Sequence, residues 1–203
     1  MGFDELMAIS SRLFFQPFRT LAEIFEAFQN QESGKTIRMV ILLALMGNTA
    51  SIISGMLYDS RQKVLGIFGF GYSLLFCLAA GIACNILCAG FSFFVLYLSK
   101  AEGKKPGLEG VISSYFVPDF IWILLLPIAL IDHAFIHSGG FFSLVYFILL
   151  VFNLILKIKA LSISTDTGGF KSFLLMIAPV LLFTLFVIAL AGYGLILLSG
   201  MIS

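Results

Sequence analysis

Apolar residues run through this chain in blocks of about twenty, and polar residues gather in the short gaps between them. The blocks cover about 37–57, 67–98, 115–135, 140–156 and 173–198. A membrane-crossing helix needs ~20 apolar residues, so the pattern predicts five spans within residues 36–203. The second block is long for one span, which predicts tilt or an irregular start at Gly66, Gly69 and Gly71. Residues 1–35 follow a different rhythm. Phe3, Leu6, Met7, Leu13 and Phe14 recur at helical spacing, with Asp4, Glu5, Ser11 and Arg12 between them. Pro17 interrupts this run and suits the first turn of a second helix. There Phe18, Leu21, Phe25 and Phe28 form one face, and Arg19, Glu23, Glu26 and Asn30 the other. The expected fold is an all-α integral membrane protein, with five transmembrane helices preceded by N-terminal amphipathic helices lying in the interface.

Composition strengthens that reading. Of the 203 residues, 60% are apolar and 11% charged, and 23 are Phe. A soluble domain holds ~25% charged residues, and a soluble fold of this length could not hide so much apolar surface. No cleavable signal peptide is expected, because charged residues break up the first thirty positions. A net charge of +1 makes nucleic acid an unsuitable partner. The basic residues are unevenly spread. Arg12, Arg19, Lys35 and Arg38 precede the first span, Lys100, Lys104 and Lys105 follow the second, and Lys157, Lys159 and Lys171 follow the fourth. The opposite gaps hold only Arg61 and Lys63, so the N-terminus is expected on the cytoplasmic side and the C-terminus outside.

Small and polar residues in the spans predict how they pack. Ala44, Asn48, Ser51 and Gly55 fall on one stripe of the first span, and Cys77, Ala80, Cys84 and Cys88 on one face of the second. Both read as seams that admit a neighbouring helix. The three cysteines are expected to be free, buried thiols, since disulfide scaffolds use exposed loops. Asn48 and Asn85 read as interhelical glue, or as the lining of a polar path.

The third and fourth blocks form a central hairpin with a short connection. A turn near Ile136 sets Asp119 opposite Asn153, and Lys157 opposite Tyr115. An ionised carboxylate in hydrocarbon needs a partner, and Asn153 and Lys157 are the candidates. Asp119 also has a structural reading. Pro118 suits the first position of a helix, and an acid in the first turn is favoured by the helix dipole, which would put Asp119 near the cytoplasmic interface. His133 and His137 lie one turn apart beside Asp132, a set with too few ligands for a metal centre, which reads better as a solvated loop. No nucleophile–base motif, metalloprotease helix or P-loop is present, and GIFGFGY at 66–72 lacks the Lys of a phosphate cradle. Neither catalysis nor a cofactor is expected.

Three stretches carry a family resemblance. LFFQPFRTLAEIF before the first span, SSYFVPDFIWILLLP entering the third and LILKIKALSI leaving the fourth resemble the Yip-domain family of Rab/Ypt-interacting membrane proteins. The resemblance implies five spans with the N-terminus inside, and a short, Phe-rich bacterial form in the cytoplasmic (inner) membrane. It marks Pro17, Tyr115 and Pro118 as structural signatures. Eukaryotic members bind Rab-type GTPases and one another in vesicle traffic, and usually carry a longer cytosolic N-terminal region. The functions in view are a membrane adaptor or scaffold contacting lipids, other membrane proteins or further copies of itself, and a small transporter or channel subunit with a polar path around Asp119 and Asn153.

Overall fold

Hydrocarbon offers no partner to an open backbone N–H or C=O, so an apolar chain of this kind must satisfy its main chain within helices. The computed structural model describes residues 8, 11–29, 33–59, 67–99, 107–136 and 140–202, and these are helical almost throughout, with no strand. Helix α1 is Pro17–Gln29, α2 Ser33–Asp59, α3 Ile67–Ser99 and α4 Leu108–Phe116. The chain then continues as a 3-10 segment (Val117–Leu124), α5 (Leu125–Ile131) and a π-turn (Asp132–Ile136). Helix α6 is Gly140–Thr165 and α7 Gly169–Ile202. Five stretches are long and apolar enough to cross a membrane: Arg38–Leu57, Leu74–Ser99, Leu108–Ile136, Gly140–Thr165 and Gly169–Leu190. The protein is therefore a five-span, all-α integral membrane protein preceded by short amphipathic helices. Residues 1–7 and 30–32, the polar gaps at 60–66 and 100–106, and His137 lie outside the described residues.

The third span differs most from a plain helix. It begins at Leu108, ten residues before Pro118, so Pro118 does not start the span. Instead it opens the 3-10 segment. The cause is local: proline has no N–H to give Ser114, and its ring crowds that carbonyl, so the α-helical ladder cannot continue unchanged. Pro127 falls in the first turn of α5, where its missing N–H removes no α-helical hydrogen bond. A 3-10 turn rises ~2.0 Å per residue against 1.5 Å in an α-helix, and runs beyond 3–4 residues are uncommon. This one lasts eight.

Helix α2 accommodates that segment by backbone contact. A Cβ added at Gly47 would stand 1.9 Å from the carbonyl oxygen of Asp119 and 2.9 Å from Cα of Phe120. No side chain of any kind fits there. The buried stripe of α2 runs through Leu43, Gly47, Ala50 and Ser54, one position round from the expected Ala44–Asn48–Ser51–Gly55 line. Ala44 is buried, Ser51 half-buried and Gly55 exposed, with open space beside it. Helix α3 also departs from expectation. Its cysteines are free but not buried: Cys77 and Cys84 are exposed and Cys88 is half-buried. The helix packs instead through Ala89, Ser92 and Leu96, at spacings of three and four.

The N-terminal residues join the same core. Leu13, Leu21, Ile24 and Phe25 are buried, Phe14 lies with its ring centroid 5.0 Å from that of Phe120, and α1 packs on α2, α4 and α6. Pro17 is the first residue of α1, where its missing N–H removes no hydrogen bond. A smaller core of Ile121, Leu125, Ala129, Phe142 and Leu149 closes the far end between α5 and α6.

Helix α7 is held at its start. Only Asp166, Thr167 and Gly168 separate it from α6, and a buried hydroxyl chain spans the turn, Thr165 to Thr167 to Ser172 at 2.8 Å each. Asp166 takes φ 52°, a left-handed conformation that Asp tolerates. Further on, Pro179 leaves the carbonyl of Leu175 without its i+4 donor. Ser92 Oγ fills the gap at 3.3 Å, and is itself paired with the Tyr115 hydroxyl at 2.6 Å. Thus α3, α4 and α7 are tied at one buried point.

Two predictions follow from this packing. Gly47→Ala is expected to cost at least about 1–3 kcal/mol, because the clash is with backbone. Gly55→Ala is expected to be neutral or stabilising, and thermal unfolding in detergent micelles compares the two. Ser92→Ala is expected to cost about 1–3 kcal/mol by stranding the Leu175 carbonyl. In a Pro179→Ala background, where that carbonyl regains an N–H, the same change should cost less than half as much; equal costs in both backgrounds would sink the assignment.

Candidate functional site

The centre of the bundle is a carboxylate with its full complement of donors. Asp119 stands in the first turn of the 3-10 segment, with a side chain 3% exposed. Its Oδ1 accepts from Lys157 Nζ at 2.8 Å and Asn153 Nδ2 at 3.2 Å. Its Oδ2 accepts from Asn85 Nδ2 at 2.7 Å and Asn48 Nδ2 at 3.3 Å. A carboxylate has about four lone-pair positions, and all are met by this chain's own donors. The donors come from α2, α3 and α6, and the acceptor from the third span, so four of the five spans meet at one group.

Each donor is held in turn. Asn153, buried, also donates to the Pro118 carbonyl at 3.0 Å, so one amide grips both the carboxylate and the backbone just before it. Asn48 Nδ2 also reaches the Ala44 carbonyl one turn back, at 2.9 Å. Lys157 Nζ donates a second bond to Asn85 Oδ1 at 3.1 Å. That bond fixes the Asn85 amide, because its oxygen must face the ammonium and its nitrogen the carboxylate. Lys157 is 15% exposed, and its long side chain carries the ammonium to the buried Asp119. Helix α6 does not end at Lys157 and continues eight residues further to Thr165.

Asn48, Asn85, Asp119, Asn153 and Lys157 therefore share one cluster. Lys157 bonds Asp119 itself, one turn deeper than the Tyr115 level that the hairpin register assigns it. Pro118 contributes its carbonyl. Tyr115, one turn earlier, is not in the cluster and serves the Ser92–Leu175 tie. Pro17 is remote in role, at the start of α1. Asp132 is buried, and its Oδ1 has no hydrogen-bond partner among the described residues, while the adjacent His133 is exposed. Among the described residues no group of three or more His, Cys, Asp or Glu side chains could hold a metal.

Two residues of this arrangement escaped sequence reasoning. Gly47 allows the backbone carrying Asp119 to approach α2, and its position immediately before Asn48 was the available signal. Ser92 shares its stretch with several small residues, and only its contact in space with the Leu175 carbonyl, freed by Pro179, gives it a role.

Chemically the cluster is a neutral knot, one acid against one base with three amides between. A proton or cation can engage Asp119 only by displacing Lys157 or an amide. Comparison with protein-family models, characterised proteins and solved structures finds no match for this chain.

Removing one member of a buried ion pair costs about 3–5 kcal/mol, because the other charge is left uncompensated. Lys157→Met is expected to fall in that range. Asp119→Asn is expected to be strongly destabilising as well, and the double variant Asp119→Asn/Lys157→Met less so than the sum of the two. The double-mutant cycle, read by thermal unfolding in detergent, should give a coupling of about 1–3 kcal/mol. Additive losses would mean that the two charges do not act as a pair.

Proposed function

We propose that this protein is a non-enzymatic membrane adaptor or scaffold, a Yip-like protein of the bacterial cytoplasmic membrane with its N-terminus inside and its C-terminus outside. The observation that carries the reading is the saturation of Asp119. The polar side chains that would line a transport path are turned on one another, and no acceptor position of the carboxylate is left for a passing solute. Such a cluster serves as a clasp that sets one arrangement of four helices, a role attested for buried polar groups in coiled coils.

A scaffold needs outward surface as well as a fixed interior. Helix α7 is exposed on every side over residues 180–190, with Phe183, Phe186 and Ile188 each more than 60% accessible, and α3 presents Leu75, Phe76 and Leu87. In this reading those faces meet lipid, further copies of the chain or other membrane proteins. The amphipathic N-terminal helices meet the cytoplasmic interface, with Phe15 and Phe18 outward beside Arg12 and Arg19. The basic bias of the even-numbered gaps and the N-terminal region supports the orientation. The second reading, a small transporter or channel subunit, draws on the irregular third span, since non-helical backbone at membrane depth often lines cavities. It requires the Asp119–Lys157 pair to open.

Native mass spectrometry of protein extracted gently from its membrane, beside flux measurements in liposomes, separates the two. The adaptor reading expects a reproducible protein complex or homo-oligomer, and ion flux equal to protein-free liposomes for both the wild type and Asp119→Asn. Wild-type flux that disappears in Asp119→Asn would overturn it in favour of transport.

A further inference from the structure

Helices α2 and α4 run parallel, and their register is set by two contacts. Gly47 lies against Asp119, and Asn48 donates to Asp119. Below that crossing the helices part and leave a groove of about 420 Å³, closed on its third side by α3. Its walls are Ile41, Ile82, Ile86 and Phe116, and the small Ala44 leaves it deep. The volume falls within the ~300–1,000 Å³ of small-molecule sites, but the position is a membrane protein's flank, where the surrounding solvent is acyl chains.

One end of the groove is different. Glu109 lines it there, in the first turn of α4, exposed and without an ion pair among the described residues. Counted back in the register that pairs residue 47 with residue 119, Arg38 comes at about the level of residue 110, one turn before Ile41 and outside the groove's lining. Arg38 is exposed and also makes no ion pair among the described residues. An apolar slot thus ends in one carboxylate, with one guanidinium beyond its end near the same height, and neither is ion-paired among the described residues. A ligand complementary to all three parts has an acyl chain, a phosphate for the guanidinium and a hydrogen-bonding cation for the carboxylate.

We propose that the groove between α2, α3 and α4 binds one phospholipid carrying a primary ammonium headgroup, of the phosphatidylethanolamine type. One acyl chain lies along Ile41, Ile82 and Phe116, the phosphate faces Arg38 and the ammonium faces Glu109. Specificity comes from the ammonium: its N–H groups can donate to Glu109, whereas a trimethylated headgroup has no N–H and a glycerol headgroup has no charge to pair. This inference rests on the membrane placement of the helices and not on the adaptor reading, so either can fail alone.

The test uses the full chain, delipidated in detergent and incubated with phosphatidylethanolamine, phosphatidylcholine or phosphatidylglycerol of identical acyl composition, with retained lipid counted by native mass spectrometry. The wild type should retain phosphatidylethanolamine at least several-fold over the other two. Glu109→Gln should abolish that preference while retaining phosphatidylglycerol unchanged, and Ile41→Trp, which fills the groove from its exposed lip, should lower retention of all three. Both substitutions sit at exposed positions, and a melting temperature unchanged from the wild type confirms intact folding. If Ile41→Trp melts early, the Glu109→Gln comparison decides alone. Equal retention of the three lipids by the wild type, or an undiminished preference in Glu109→Gln, overturns the proposal.

Discussion

An ionised carboxylate away from water has to be surrounded by donors, and in this protein that requirement organises the bundle. Desolvating Asp119 costs several kcal/mol before any pairing, and one lysine repays that only with good geometry and with the remaining lone pairs occupied. Three amides complete the shell. Because they sit on three different helices, satisfying one side chain amounts to stating where four spans must lie. Apolar packing alone would not do this, since lipid tails are as apolar as leucine and helices slide past one another at little cost.

The same economy recurs at the backbone. Two prolines remove donors from membrane helices, and each loss is answered by a neighbour. The chain around Pro118 tightens into a 3-10 segment and lends its carbonyl to Asn153. The carbonyl freed by Pro179 takes Ser92, which Tyr115 holds in place. Helix-breaking residues thus become points of attachment between helices.

Much of this was legible in the sequence. Five apolar blocks of the right length forced the fold class, because few other structures can hold so little charge. Antiparallel register across a short loop was enough to set Asp119 opposite Asn153, while the mixed 3-10, α and π geometry of the third span put Lys157 one turn deeper than the same count gives. The seams were harder to read. On α2 the true stripe runs through Gly47, and the expected one ran a single residue away through Asn48; 100° of helix rotation separates them, and composition alone favours neither. On α3 the line through Cys77, Ala80, Cys84 and Cys88 looked like a packing face, yet Cys77, Ala80 and Cys84 are exposed and Cys88 only half-buried, because a helix in lipid need bury only the side its neighbours approach. The extent of α4 and α6 was underestimated for one reason in both cases. A polar residue was taken as a terminus, when Tyr115 and Lys157 were turned inward to partners far away in sequence.

The division of the clasp between spans bears on how the chain enters a membrane. Asp119 belongs to the third span, and its cationic partner Lys157 belongs to the fourth, which is made later. When the third span is threaded, Asn48 and Asn85 already stand in the first two, but the charge has no counterion. A lone acid at that depth opposes insertion by about 2.5–3.5 kcal/mol on insertion scales. The short connection between residues 136 and 140 lets Lys157 arrive soon after, so the third and fourth spans are suited to enter as one hairpin. The order of synthesis and the final structure are then linked through a single ion pair: a ribosome pausing between the two spans would leave the chain poised at its least stable point.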